Sequence, residues 1–234
     1  HVASPTPTLN FKNESEMIRP AVDGVVRVLT AARDAKVIRV VLTSAYGAVF
    51  AGHKHRDTPY TENDWSNLTA KNIHPYQKSK TLAEHAAWDF IAREGRGMTL
   101  ATINPVAVMG PVLSADYSHS NNQIQQLLAG QIKAVPRVDS GYVDVRDVAS
   151  LHLLAMTAPQ AAGERFLATT GETLSMLEVA TILRHHFPDF AAKLPTKIIP
   201  DPLIKVAALA DPMLRMVASL LGVYAETSNA KAVS

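Results

Sequence analysis

The 234-residue chain contains no cysteine, which removes disulfides, thiolate metal sites and cysteine nucleophiles from consideration. That lack fits a reducing compartment. No apolar run approaches the ~18 residues a membrane span needs. The opening His1-Val2-Ala3-Ser4-Pro5 has neither the basic nor the apolar stretch of a secretory signal. Charge of one sign is also scarce: 23 Lys and Arg against 21 Asp and Glu leave a formal net charge of +2. The basic residues are scattered, so neither nucleic acid nor a membrane is expected as a partner, and the cytoplasm is the expected location. The 11 glycines never fall as GxGxxG or GxxGxxG after a strand pattern, so the chain carries no phosphate-cradling turn. His53, His55 and Asp57 form a loose group without a well-spaced further ligand, and no metal is expected.

What remains is an ordinary globular balance, 47% hydrophobic and 19% charged, enough for one domain or a domain with a small cap. From Glu14 to Ala35, apolar residues recur at three- and four-residue spacing, predicting a helix that Pro20 kinks. Val37 to Thr43 is a β-branched run, the pattern of a strand buried on both faces. His53 to His74 reads as a polar loop. A helix follows from Tyr76 to Arg93, then a strand from Met98 to Ile103 ended by Asn104-Pro105. Further helices are expected at 124–128, 147–156, 176–187 and 202–221, with a strand at 165–168. Ser175 reads as an N-cap. Asp144, Arg146 and Asp147 read as a local cap and ion pairs, His185-His186 as partners of a helix dipole, and Trp65 and Trp88 as packing anchors. Alternating helices and strands imply an α/β fold with a mostly parallel sheet. Three strands are few for a doubly wound sheet and leave one edge unpaired, so an upstream part is expected to be missing.

Tyr76 and Lys80 stand four residues apart at a helix start, on one face. A phenol is a poor acid at neutral pH, and a neighbouring ammonium favours its ionised form. Such a phenol can protonate a carbonyl oxygen as hydride reaches carbon, or run the step backwards. The pair alone is a weak signal. Its place between two strand ends, where α/β folds assemble ligand sites, strengthens it.

In order along the chain run "RVVLTSAYGAV", "TENDWSNL", "PYQKSKTLAEHAAWDF", "INPVAVMGPVL", "YVDVRDVASLHLLAM" and "AAGERFLA". Together these resemble the extended short-chain dehydrogenase/reductases of the dihydroflavonol-reductase and aldehyde-reductase type, in the NAD-dependent epimerase/dehydratase superfamily. The opening "HVASPT" resembles the segment after the fourth strand of that family, and the glycine-rich turn of its relatives lies upstream of it. The resemblance implies a partial Rossmann-type parallel sheet with helices on both faces and a small C-terminal substrate-binding cap. Residues 1–112 and 145–170 would form the dinucleotide-binding part, and 113–144 and 171–234 the cap. It implies reduction of a ketone or aldehyde of a small substrate with NADP or NAD, NADP being preferred, by a monomer or homodimer. Tyr76 would donate the proton, and Lys80 would bind the nicotinamide ribose and lower the Tyr76 pKa. Pro105 and Val108 would border the nicotinamide, Ser120 would approach the cofactor, and Val2 and Ala3 would follow its ribose and phosphates. Phe50, Ala107 and Tyr117 are expected pocket walls.

Ala45 stands where relatives carry the serine that binds the substrate carbonyl. Ser44, Thr43 or a water could take over, or Ser44 only closes the strand. The chain is expected to be a fragment at both ends that binds a dinucleotide poorly. A sugar-nucleotide epimerase, a hydroxysteroid dehydrogenase or a non-catalytic remnant of the fold are the competing expectations.

Overall fold

The computed structural model describes residues 1–4, 13–71, 73–114, 118–222 and 226–234. Its centre is a parallel three-stranded sheet of β1 (Arg39–Thr43), β2 (Thr99–Pro105) and β5 (Arg165–Ala168), in the order β1-β2-β5. β1 and β2 align from Arg39↔Thr99 to Thr43↔Ile103, and β2 and β5 from Thr102↔Arg165 to Pro105↔Ala168. A second sheet joins β3 (Ala107–Met109), β4 (Asp139–Asp144) and β6 (Thr173–Ser175), with β3 parallel and β6 antiparallel to β4.

Alternation along β1 explains why helices cover both faces. Val40 and Leu42 pack with Leu100 against Ala21, Val25 and Leu29 of α1 (Ser15–Asp34) and Ala83, Ala87 and Phe90 of α2 (Pro75–Glu94). Val41 points the other way, joining Ile103 and Leu167 against Val148 and Ala155 of α4 (Val145–Thr157). A strand buried this way must be apolar at consecutive positions, as this one is. A third cluster holds Leu127 of α3 (His119–Leu128), Val135, Leu194 and flanking residues of α5 (Met176–His186).

Local chemistry sets the helix starts. The His74 ring accepts the Tyr76 N–H at 3.2 Å while the Gln77 side chain accepts the His74 N–H at 3.0 Å, with Pro75 at the first position of α2. This reciprocal arrangement satisfies donors that a helix leaves orphaned. Ser175 and Glu178 do the same for α5, and Asp144 caps α4 and pairs with Arg146 at 2.6 Å. His53 bonds the Trp65 carbonyl and His55 pairs with Asp57.

Two expectations are corrected, and one sheet is added. β2 runs through Pro105 rather than ending at Ile103. Thr102 and Val106 donate toward β5, so position 105 faces the other side, beyond the last β1 pairing at Thr43. A proline costs no ladder bond there. The helix expected over 202–221 is two, α6 (Asp201–Ala207) and α7 (Pro212–Leu220), because Pro212 suits a helix start and the Asp211 side chain accepts the Leu214 N–H. The second sheet was not expected at all. β3 and β6 are three residues each and half-exposed, and β4 buries Gly141 and Val143 between polar residues. No described helix is long and apolar enough to cross a membrane.

Candidate active site

At the C-terminal ends of β1 and β2 lies a cleft of about 290 Å³. The end of β1 supplies Ala45, Tyr46 and Gly47; the end of β2 supplies Pro105, Val106 and Ala107. Tyr76 and Gln77 enter from the first turn of α2, Ser120 from α3, Asp139 to Gly141 from β4, and Phe50 and Leu220 complete the wall. Gly47 sits close under α2, where a larger residue would require the Gln77 side chain to yield by a few tenths of an ångström. A Cβ on it would meet Gln77 Cγ at 3.3 Å and the Tyr76 ring at 3.8 Å.

Of the residues singled out in the sequence, Tyr76, Pro105, Ala107, Phe50 and Ser120 meet in this cleft. Lys80 stands beside Tyr76, its ammonium 5.6 Å from the ring centroid. Val108 instead packs, partly buried, against the central core. Val2 and Ala3 are exposed, and Val2 lines a separate groove along the open side of β1 with His1 and His152. Tyr117 lies outside the described residues.

Ser44 is not in the cleft. Its hydroxyl donates to Glu84 Oε2 at 2.6 Å in the interior. The Thr43 hydroxyl is equally occupied, 2.7 Å from His152 Nε2 of α4. Neither hydroxyl before Ala45 is free to face the cleft: Ser44 is held by the buried Glu84 and Thr43 by the half-buried His152.

The expected lowering of the Tyr76 pKa is also corrected. Burial pushes the phenol up from its ordinary value and the Lys80 ammonium down. With the ammonium over the ring face, desolvation outweighs charge attraction. Tyr76 is therefore firmly protonated at neutral pH. A protonated phenol beside an apolar strand-end wall can donate to an oxygen held in the cleft.

Two features escaped the sequence reading. Tyr46 lines the cleft and stacks on Phe50 with centroids 4.5 Å apart, and burial pushes its phenol well above the usual range. The 53–74 loop is folded over the edge of β5: Arg165 donates to the Glu62 and Asp64 carbonyls at 2.6 and 2.7 Å, and the Glu62 carboxylate accepts the Leu167 N–H. Trp65 is sandwiched between His85, at 3.9 Å between centroids, and the Arg165 guanidinium at 3.7 Å. Arg165 also pairs with the fully buried Glu84 at 2.7 Å.

The model of the NAD dependent epimerase/dehydratase family matches residues 1–168. The chain belongs to that family. Its resemblance to extended short-chain reductases is likewise borne out by its relatives. It is 40% identical over 203 residues to cinnamoyl-CoA reductase 2 of Arabidopsis thaliana, covering 84% of this chain and 57% of that protein. It is 32% identical over 213 residues to the NADPH-dependent methylglyoxal reductase of Saccharomyces cerevisiae, covering 83% and 62%. The chain thus spans somewhat over half the length of the curated relatives it matches. Among solved structures, yeast methylglyoxal/isovaleraldehyde reductase Gre2 complexed with NADPH superposes with a TM-score of 0.78 at 28% identity, covering 99% of this chain and 68% of that one. Vestitone reductase from alfalfa, at 22% identity and a TM-score of 0.70, shares the fold. The α/β class and the Rossmann-type parallel sheet of the family are thereby confirmed.

Proposed function

We propose that this family member carries the catalytic and substrate-side part of an NADP(H)-dependent reductase of small aldehydes or ketones. The observation that carries the reading is Tyr76 in the cleft at the strand ends with Lys80 beside it. Relatives named as reductases support the class, among them a yeast NADPH-dependent reductase whose solved structure is a complex with NADPH. The residues present fit the nicotinamide end of a dinucleotide. Pro105 and Ala107 offer an apolar wall on one side and the Ser120 hydroxyl faces the same cleft. They do not fit the pyrophosphate end, because the sequence has no glycine-rich turn to cradle it. We read residues 1–112 and 145–170 as the cofactor side, 113–144 and 171–234 as the substrate cap, and the cytoplasm as the compartment.

The nicotinamide, when bound, supplies hydride. The chain's own residues do the rest. Tyr76 donates its phenolic proton to the substrate oxygen, and Lys80 orients the phenol and favours the phenolate left behind. Tyr46, Phe50 and Pro105 exclude water from the reacting carbon.

The test is NADPH oxidation by the full-length protein with short aldehydes, compared with Tyr76→Phe. Loss of about 10²–10⁴-fold in turnover is expected, the usual contribution of a proton-transfer group. Turnover that survives the substitution would sink the reading. One observation favours a second reading, a ligand-binding remnant: Ala45, not a serine, lines the cleft. Aldehyde binding without any Tyr76-dependent turnover would decide for it. The 234-residue chain alone should bind NADPH more weakly than micromolar, by titration of cofactor fluorescence.

A further inference from the structure

The two strand ends that wall the cleft and the helix that presents Tyr76 converge on one carboxylate that never touches the cleft. Glu84 is 0% exposed and lies two turns beyond Tyr76 and one beyond Lys80 on the same face of α2. Its Oε2 accepts from the Ser44 hydroxyl at 2.6 Å and from Asn104 Nδ2 at 2.7 Å. Its Oε1 accepts from Arg165 Nε at 2.7 Å and the Thr102 hydroxyl at 3.0 Å, with Trp88 Nε1 at 3.4 Å. Asn104 adds a bond from its amide to the Ala45 carbonyl at 3.3 Å. Ser44 is the residue before Ala45, and Asn104 the residue before Pro105; both followers line the cleft.

A buried ion pair is weak evidence for stability, since apolar residues of similar size often serve as well. What apolar residues cannot supply is direction. Each bond to Glu84 fixes a distance and an angle between α2 and one strand end, and together they hold β1, β2 and β5 against the helix at the level of the cleft. We propose that Glu84 is a positioning residue. Through Ser44 and Asn104 it sets the spacing between Tyr76 and the Ala45 and Pro105 walls. Ser44, whose place beside Ala45 invites a catalytic role, acts through Glu84 instead. The catalytic meaning of this spacing rests on the reductase reading; the spacing itself does not.

The test uses the 234-residue chain labelled with 3-fluorotyrosine, with the ¹⁹F signals of Tyr46 and Tyr76 assigned by Tyr46→Phe and Tyr76→Phe. Ser44→Ala and Glu84→Gln are compared with Leu194→Ala, a cavity in the third core cluster remote from this network. The two network substitutions are expected to shift or broaden both cleft tyrosine signals. Leu194→Ala should leave them in place even where it lowers the melting temperature as much. Where Glu84→Gln does not fold, Ser44→Ala alone decides. Unmoved Tyr46 and Tyr76 signals in Ser44→Ala overturn the proposal and reduce Glu84 to a core staple. In the full-length enzyme, Ser44→Ala should lower kcat about tenfold or more, as small misplacements do, with KM little changed. Shifted signals without any Tyr76-dependent turnover would keep the positioning role and sink only the reductase reading.

Discussion

On the reductase reading, Ala45 is the residue on which the chemistry would turn. Its backbone is extended, at φ −160° and ψ 154°, and its methyl group faces the cleft beside Tyr76. A hydroxyl on that carbon would add a donor for the substrate oxygen. Loss of one such donor costs about 2.7–4 kcal/mol elsewhere, so Ala45→Ser in the full-length protein should raise kcat by about tenfold or more. An unchanged kcat would mean that the carbonyl is already polarised by another group. At this scale the sequence was informative where spacing along one helix decides contact: Tyr76 and Lys80 stand side by side as their four-residue spacing implies, whereas Pro105, Ala107 and Phe50 were reached through the family resemblance. It was uninformative where a side chain chooses between two buried neighbours. Nothing in "LTSAY" tells that Ser44 finds Glu84, forty positions on, or that Thr43 finds His152.

At the scale of elements, the helix that carries Tyr76 begins on a cap sensitive to acid. His74 can accept the Tyr76 N–H only while its ring nitrogen is unprotonated. Burial pushes the His74 pKa below its ordinary value of 6.5, so the unfolded chain takes up the proton first. The cap's contribution is therefore complete above about pH 6.5 and is lost as the pH falls below it. An N-cap is worth about 1 kcal/mol, and His74→Asn, which caps without titrating, should flatten denaturation midpoints between pH 7 and 5. A wild-type midpoint as flat as that of the variant would refute the linkage. The loop over β5 has its own, lower window. Hydrogen bonds from Arg56, then from the Thr61 backbone, hold Asp64 down at about 2. Its stabilisation is full above the ordinary value near 3.8 and disappears as the pH falls toward 2. With solvent screening the effect is on the order of 1 kcal/mol, and Asp64→Asn should abolish that part of the acid limb in a urea titration. Neither device was legible beforehand, because 53–74 reads only as polar. The long helices α1 and α2 were legible through their apolar periodicity, and the central strands through short, continuous apolar runs.

At the scale of the molecule, the central sheet is closed on one side and open on the other. β5 is covered by the 62–64 loop and by residues around Thr227, where Tyr60 and Thr227 form a bridge. Among the described residues, His1 lies along the outer edge of β1: the His1 carbonyl accepts the Thr43 N–H at 2.9 Å and its ammonium reaches the Val41 carbonyl at 2.7 Å. Beyond that point runs an apolar groove of about 930 Å³ between α1 and α4, lined by Val28, Val41 and Met156, with Ile38 82% exposed. The short count of strands in the sequence anticipated this open side. In a parallel strand successive N–H groups face opposite neighbours, so Val40 and Leu42 donate inward to β2 while Arg39 and Val41 face outward. No described residue accepts from the Arg39 or Val41 N–H. Amide exchange in the folded 234-residue chain should therefore alternate along β1, with Arg39 and Val41 exchanging at least about tenfold faster than Val40 and Leu42. Uniformly slow exchange at all four positions would show that something pairs with this edge in solution.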